Sequence, residues 1–276
     1  MASRADVFIT ADELARRLDS GDLTTLLDVR WELSRPDGTE AYRRGHLPGA
    51  VYVSLDDELS DHTVAGRGRH PLPSGAAVQA AARRWGVRTG VPIVVYDDWN
   101  RAGSARAWWV LTAAGIPDVR ILDGGLSAWR GELHTGTAVP EAGDVTVAHD
   151  DLYAGALPTV TAEQAATAET LLDARAPERY RGETEPVDPV AGHIPGARNV
   201  PSTALLTDGA LLPAAALQQT IGTVGDDTAV YCGSGVTASL TVAVLVSQGI
   251  DAALFPGSWS QWSAEARPVA VGEQPR

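Results

Sequence analysis

The feature that most constrains the fold of this chain of 276 residues is an internal repeat, whose matching blocks lie between residues 26 and 262. Four blocks return in the same order, and they are residues 26–30 with 171–175, 45–50 with 192–197, 95–97 with 230–232, and 121–129 with 254–262. Because a repeat of this length indicates a duplicated folding unit, the sequence predicts two similar domains.

Short apolar segments alternate with helical patterns inside each copy. In the first copy the helical segments are residues 10–19, 76–85 and 104–114, and the β-prone segments are residues 25–28 and 92–96. The second copy repeats the pattern from Thr161. This alternation indicates an α/β fold with a mainly parallel sheet in each copy, which binds ligands beyond the carboxyl ends of its strands.

The domain boundaries follow from the repeat and from composition. We predict a first domain at residues 1–134 and a second at residues 158–276. Residues 135–157 are rich in Gly, Pro, Asp and Thr and have no strong periodicity, so they are the predicted linker.

Composition excludes several classes of function. The net charge of −13 argues against nucleic acid or an anionic membrane surface as a partner. Every basic residue is arginine, which excludes a lysine Schiff base and a P-loop lysine. A single cysteine forms no internal disulfide, and no signal-peptide pattern or membrane-length apolar run is present, so we expect a cytoplasmic location.

The only cysteine, Cys232, begins a loop of small residues between a β-prone run at residues 228–231 and an apolar segment at residues 236–246. Backbone N–H groups of such a loop can point at the sulfur, and the positive end of the following helix adds to them. In this setting the pKa of a cysteine falls from ~8.5 to roughly 3.5–7.5, which favours the thiolate. The alternative is a buried cysteine that only packs as a small hydrophobe.

The first copy has Asp97 at the position of the cysteine, followed by a polar loop at residues 98–103. We therefore expect the first domain to be catalytically inactive. It is either structural or forms one wall of the active-site cleft.

Several chemistries use a thiolate in a loop. A phosphatase of this kind needs an arginine six residues after the cysteine, where this chain has Ala238. A peroxidatic cysteine usually needs a resolving cysteine, which this chain does not have, although a small thiol could serve. The sequence has no Cys/His cluster and no GxGxxG turn, so we predict neither a metal nor an organic cofactor.

Taken together, these motifs resemble the two-domain rhodanese-type sulfurtransferases over nearly the whole chain. The resemblance is carried by the paired LLDVR/LLDAR and GHLPGA/GHIPGA blocks, the CGSGVTA loop and the closing G-S-W-x-x-W. It implies two tandem rhodanese-like domains, each a mainly parallel sheet flanked by helices. It also implies that Cys232 accepts a sulfur atom as a persulfide, held by backbone N–H groups of Gly233, Gly235, Val236 and Thr237.

The implied partners are a small-molecule sulfur donor and a thiol or cyanide acceptor, and a thioredoxin-like reductant is a further candidate. The competing class is a non-enzymatic rhodanese-fold module that binds a protein or relays sulfur. An intact small-residue loop argues against that class.

The resemblance also bears on the sulfur donor, because a CGSGVTA loop is typical of family members that use 3-mercaptopyruvate. It implies that Asp56, His70 and Ser234 approach one another, so that the polarised serine moves a proton to the enolate left after sulfur departs. The alternative is that Asp56, or its neighbour Asp57, is an ordinary exposed carboxylate and that His70 is a loop residue.

Arg179 matches a substrate-binding arginine of the family, and its planar guanidinium suits a carboxylate. A second arginine is expected shortly after residues 185–186, where this chain has Val187 and Asp188. Arg181 is then the candidate for the second contact, and thiosulfate stays open as the donor.

Other polar residues that recur in both copies have a structural interpretation. We expect Arg30 and Arg175 to pair with nearby carboxylates, and His46 and His193 to stabilise the turns that contain them.

Overall fold

The computed structural model describes residues 2–274. The elements of the first half are α1 (Arg4–Val7), β1 (Phe8–Ile9), α2 (Ala11–Asp19), β2 (Thr25–Asp28), α3 (Thr39–Arg44), β3 (Val51–Tyr52), α4 (Leu55–Glu58), α5 (Gly75–Arg84), β4 (Ile93–Tyr96), α6 (Ala102–Ala113), β5 (Val119–Leu122) and α7 (Gly125–Ala128). Those of the second half are α8 (Ala162–Ala165), β6 (Thr170–Asp173), α9 (Pro177–Tyr180), β7 (Arg198–Asn199), β8 (Leu206–Thr207), β9 (Ala210–Leu211), α10 (Ala214–Ile221), β10 (Thr228–Tyr231), α11 (Ala238–Ser247), β11 (Ala253–Leu254) and α12 (Ser258–Ala264). Two short 3₁₀ helices lie at Leu152–Ala154 and Ser202–Leu205.

Each half forms its own parallel sheet, and the strand orders match. The first sheet has the order β1-β5-β4-β2-β3, and the second has the order β11-β10-β6-β7. The counterpart of β1 in the second half is reduced to a single bridge between Thr159 and Leu254. A separate antiparallel hairpin joins β8 and β9. The α/β prediction with mainly parallel sheets is therefore confirmed.

The repeated charged residues form the same ion pair at the end of corresponding strands. Arg30 donates to both carboxylate oxygens of Asp28 and to the carbonyl of Gly45, and Arg175 pairs with Asp173 in the same way. Burial raises the pKa of Asp28 to about 6, against the lowering effect of Arg30. These arginines are satisfied within their own domains, as the sequence predicted.

The repeated histidines are also structural. His46 Nδ1 lies 3.0 Å from the carbonyl oxygen of Tyr42, and His193 Nδ1 lies 2.8 Å from that of Tyr180. Each ring is buried and stacks on the same tyrosine. The prediction that these histidines stabilise turns is confirmed.

Helices α6 and α11 pack against each other between the two sheets. Eleven of the twelve residues of α6 and nine of the ten of α11 are buried. A helix that is buried on all sides needs no polar face, which explains why α11 is mostly apolar and has no charged residue. One continuous hydrophobic core therefore contains side chains from both halves.

The predicted linker, residues 135–157, runs along the surface of the first half and contains only the short helix Leu152–Ala154. Its amides at Gly143 and Ala148 donate to backbone carbonyls of the first half, and Val145 and Leu152 are buried. The linker is thus fixed by hydrogen bonds and apolar contacts. Among residues 2–274, no helix combines the length and the apolar character that crossing a bilayer requires.

Candidate active site

Cys232 lies directly after the carboxyl end of β10 and is 2% exposed. Its N–H donates to Ser258 Oγ at 3.1 Å, and its carbonyl accepts the N–H of Trp259 at 3.0 Å. The following loop requires glycine at Gly235, which has φ of +76° and whose Cβ would lie 2.5 Å from the carbonyl oxygen of Pro256. These contacts fix the path of the loop around the thiol.

The loop after Cys232 presents unpaired backbone donors. The amides of residues 233–237 donate no hydrogen bond to any atom of residues 2–274. They are followed at once by the N-terminus of α11, whose first turn is positive. A run of free N–H groups beside a helix N-terminus is suited to hold an anion.

A row of polar side chains in contact reaches this loop from the first half. Ser234 Oγ lies 2.7 Å from His70 Nδ1, and His70 Nε2 lies 3.3 Å from Asp56 Oδ1. The indole N–H of Trp31 donates to the same Asp56 oxygen at 3.0 Å. The structure therefore brings together the serine, the histidine and the aspartate that the sequence had singled out.

The protonation of this chain follows from its surroundings. Burial lowers the pKa of His70, although Asp56 acts to raise it, so the ring is neutral at pH 7. The hydrogen bond to His70 lowers the pKa of Asp56, so that carboxyl is ionised. Nε2 is then the donor to Asp56, and Nδ1 is left to accept from the Ser234 hydroxyl. Asp57 instead hydrogen-bonds with Ser54 and takes no part.

A cavity of about 490 Å³ opens over Cys232 between the two halves. The first half contributes Trp31, Leu33, Ser34, Arg69, Trp99 and Asn100, and the second contributes Arg179, Pro186, Val187, Cys232, Gly233, Ser234, Val236 and Thr237. The lining contains Cys232, four of the predicted loop residues and two arginines. The predicted residues Gly235, His70 and Asp56 do not line it.

Of the two arginines predicted for substrate, only Arg179 lines the cavity. It is held by Glu185, with Nη2 at 2.6 Å from Oε1 and Nε at 3.2 Å from Oε2. Arg181 is outside the lining and forms an ion pair with Glu183 at 2.7 Å.

Arg69 was missed by the sequence analysis. It belongs to the first half, lines the same cavity as Arg179, and donates through Nη1 to Asp188 Oδ1 at 2.7 Å. The signal that could have revealed it is Asp188 itself, because a carboxylate where an arginine is expected requires a cation from elsewhere.

Arg106 of α6 was also missed. It is fully buried and donates to the backbone carbonyls of Leu59, His70 and Gly235. Burial lowers its pKa to about 10, which leaves it protonated at pH 7. It therefore ties the segment that carries His70 to the loop that carries Cys232. No sequence pattern separates it from the other arginines.

The corresponding loop of the first half binds the carboxylate of its own residue Asp97. Asp97 Oδ1 accepts the N–H of Arg101, and Oδ2 accepts both the N–H and the hydroxyl of Ser104. The Arg101 guanidinium lies 2.8 Å from Asp97 Oδ1. A carboxylate thus occupies the place where the second loop has a thiol and free amides.

The rhodanese-like domain model matches this chain twice, at residues 10–132 and at residues 158–265. The chain belongs to the rhodanese family. Its two halves are therefore rhodanese-like domains, each a parallel sheet flanked by helices. In residues 2–274 of this rhodanese-family chain, no group of three or more His, Cys, Asp or Glu side chains is placed to hold a metal ion.

Relatives of this rhodanese-family protein agree in their names on sulfur transfer and differ on the donor. The chain is 62% identical over 99% of both lengths to "Putative thiosulfate sulfurtransferase SseB" of Mycobacterium tuberculosis. It is 41% identical, over 96% of this chain and 98% of the relative, to "Probable 3-mercaptopyruvate sulfurtransferase" of Pseudomonas aeruginosa.

A solved structure of the same family is also similar. The crystal structure of SseA from Escherichia coli, described with the rhodanese fold and mechanism of 3-mercaptopyruvate sulfotransferases, superposes with a TM-score of 0.78. It is 31% identical and covers 92% of this chain and 98% of its own.

Proposed function

We propose that this sulfurtransferase takes a sulfur atom from 3-mercaptopyruvate, carries it as a persulfide on Cys232 and passes it to a thiophilic acceptor. The observation that carries the proposal is the row of contacts from Asp56 through His70 to Ser234, which lines the same cavity as Cys232. Removal of sulfur from mercaptopyruvate leaves a carbanion equivalent that must be protonated, and Ser234 with His70 can deliver that proton.

The first half-reaction conserves atoms and charge. The Cys232 thiolate attacks the donor sulfur, the donor C–S bond breaks, and its electron pair forms the enolate of pyruvate. The transferred sulfur still carries the proton of the donor thiol, and the persulfide formed on Cys232 is acidic and releases that proton. The proton reaches the enolate carbon through Ser234 Oγ, which His70 polarises. The products are pyruvate and a Cys232 persulfide anion.

The loop supports this carrier role because residues 233–237 offer amides with no other acceptor within residues 2–274. Donors fixed in advance stabilise the anionic outer sulfur without reorganisation during the reaction. In the second half-reaction, cyanide or a thiol attacks that sulfur, the S–S bond breaks, and the thiolate returns. A thioredoxin-like dithiol is a candidate acceptor of the same chemical class.

We further propose that the second domain is the catalytic one and that the first is inactive, since Asp97 has no nucleophilic sulfur and its loop is already filled by the carboxylate. The first domain contributes through Asp56 and His70. Arg179 is the proposed contact for the donor carboxylate.

Thiosulfate is the second candidate donor, favoured by the name of the Mycobacterium tuberculosis relative. Its sulfite leaves with the electron pair and needs no proton, so it makes no use of the Ser234–His70–Asp56 chain. A binding or relay module without catalysis would have no use for that chain either. For this reason mercaptopyruvate is preferred.

Mass spectrometry of the intact protein after donor treatment tests the proposal. We expect mercaptopyruvate to add the mass of one sulfur atom to the chain, and cyanide to remove it as thiocyanate. Cys232→Ser is the control and gains no sulfur. A wild-type protein that stays unmodified with both donors would overturn the assignment, whereas modification by thiosulfate alone would make thiosulfate the donor.

A further inference from the structure

Arg106 of the first domain is a buried cation without a carboxylate. Four arginines are buried among residues 2–274, and they are Arg30, Arg101, Arg106 and Arg175. The other three each form an ion pair with an aspartate of their own domain. Within the same residues, Arg106 forms no ion pair and donates only to backbone carbonyls, which carry no net charge. A buried charge without an opposite charge is unfavourable, so this position requires an anion nearby.

The contacts of Arg106 place its charge between the two segments that carry the proposed chemistry. Its Nη2 atom lies 3.0 Å from the carbonyl oxygen of His70, and its Nη1 atom lies 3.4 Å from that of Gly235, three residues after Cys232. Because the side chain is fully buried, water screens its charge only weakly. The charge therefore acts on both segments.

Cys232 is the group that can supply the missing anion. Burial lowers the pKa of Arg106 to about 10, and two ionisable side chains, Tyr153 and Cys232, act against that lowering. Burial raises the pKa of Tyr153, so its phenol is uncharged at pH 7. The ionised sulfur of Cys232 is then the charge that can balance Arg106.

The other charged groups around the thiol have partners of their own. They are the ion pairs Arg179–Glu185 and Arg69–Asp188, and Asp56, which is bound to the neutral His70. Arg106 is therefore the cation whose charge is left for the sulfur.

The first domain contains the same kind of pairing in permanent form. Asp97 occupies the place of Cys232 in the repeat, and the buried Arg101 guanidinium lies 2.8 Å from its carboxylate. In the first copy, one buried arginine thus balances a buried anion at this strand end. In the second copy the anion is a thiolate or a persulfide, and the arginine comes from the other domain.

We propose that Arg106 supplies, across the domain interface, the positive charge that balances the Cys232 thiolate and its persulfide. The same charge favours a neutral His70, because burial lowers the pKa of that ring and Arg106 acts in the same direction. One buried cation thereby favours both an ionised sulfur and an uncharged base. The inference deepens the proposed function and rests on it for the persulfide, but the charge on Cys232 can be measured without sulfur transfer.

The pH profile of alkylation by iodoacetamide tests the proposal, because only the thiolate reacts and the reagent is uncharged. As Cys232 is the only cysteine, the mass of the intact chain reports its modification directly. Loss of one nearby positive charge disfavours the thiolate, so the midpoint of the profile should lie roughly one pH unit higher in Arg106→Gln than in the wild type. Arg106→Lys keeps the charge without the planar guanidinium, and its midpoint should stay close to that of the wild type.

Arg83→Gln is the matched control, since Arg83 also belongs to the first domain and donates to a backbone carbonyl, that of Val145, outside the cavity. It should leave the midpoint unchanged. Arg106→Met is apolar and of similar length, and it takes the place of Arg106→Gln if the polar variant does not fold. In either neutral variant the ring of His70, followed by NMR, should titrate at higher pH than in the wild type.

A second measurement needs no substitution of Arg106. A buried cation that favours the thiolate stabilises the folded protein at pH values where the thiol of the unfolded chain is still protonated. The Tm of the wild type should therefore rise relative to that of Cys232→Ser as the pH increases to about 8.5, the ordinary pKa of a cysteine. A constant difference in Tm over this range would overturn the charge balance.

Equal midpoints in the wild type and the neutral variants would overturn the role of Arg106 even if the wild-type protein forms a persulfide. Equal shifts in Arg106→Gln and Arg106→Lys would overturn it as well, because they would show that the hydrogen bonds of the guanidinium matter and its charge does not. A shifted midpoint in Arg106→Gln alone, in a protein that forms no persulfide, would support the charge balance and contradict the proposed function.

Discussion

Ser234 differs from the other residues around Cys232 because its hydroxyl is hydrogen-bonded to a histidine, His70. Its hydroxyl meets His70 Nδ1 at 2.7 Å, and the buried ring is neutral at pH 7 because desolvation lowers its pKa. Asp56 fixes the ring from the other side, so the free electron pair of Nδ1 points at the serine. At the residue scale, the proposed reaction therefore depends on the contacts of Ser234 and His70 as well as on the thiol.

We predict that Ser234→Ala separates the two donors. General acid–base groups contribute about 10²-fold or more, so kcat with mercaptopyruvate should fall by about that factor. Turnover of thiosulfate should change less than about threefold, because sulfite needs no proton to leave. Release of pyruvate and of sulfite under steady-state conditions measures both.

His70→Asn provides a second variant for this prediction, since it removes the base while the serine stays. It should give the same split between donors. Equal losses with both donors in Ser234→Ala would show that the serine only shapes the loop.

The strand–loop–helix unit that contains the site occurs twice, and the two copies differ in what the amides of the loop bind. In the second copy β10 leads into free amides and α11, and in the first β4 leads into amides that bind the Asp97 carboxylate before α6. The carboxylate also compensates Arg101, which is buried at 1% exposure. The amides of the first loop are therefore already bound to a carboxylate of the same loop.

Replacing Asp97 with alanine should lower the free energy of unfolding by about 3 kcal/mol or more, because it leaves Arg101 buried and unpaired. Asp98→Ala is the control, since Asp98 is a neighbouring carboxylate whose contact to Arg30 is 3.6 Å long and partly exposed. It should cost less than about 1 kcal/mol. Urea denaturation of both variants measures the difference, and equal costs would contradict the role given to Asp97.

The two domains of the whole molecule share one core and one site. α6 and α11 are each buried against the other domain, and Arg106 donates across the boundary to the carbonyl of Gly235. The second domain alone would expose an apolar helix face and would lack Asp56, His70 and Arg69. The proposed activity of the second domain therefore depends on the first domain, which we propose to be inactive.

We predict that residues 158–276 expressed alone will not unfold cooperatively and will not form a persulfide with mercaptopyruvate, because burial of α11 depends on α6. Co-expression with residues 1–157 as a separate chain is the control and should restore both properties. Thermal denaturation and intact mass give the two readouts. A sharp melting transition for the isolated second half would contradict a shared core.

The sequence by itself determined the features that depend on local patterns. The repeat and the alternating periodicity predicted two α/β units, and the ends of α2 and β2 were predicted to within one residue. The small-residue loop marked Cys232, and the exchange to Asp97 marked the copy without a thiol. Such features are visible because periodicity, turn residues and hydrogen-bonding capacity belong to neighbouring positions in the chain.

Only the tertiary structure decided which distant residues meet at that loop. His70 and Ser234 are 164 residues apart and Arg69 and Asp188 are 119 apart, and in each case the contact joins the two domains. Asp188 indicated that a cation comes from elsewhere in the chain, but nothing in the sequence showed that this cation is Arg69. The physical reason is the packing of α6 against α11, which brings one domain's charges to the other domain's thiol.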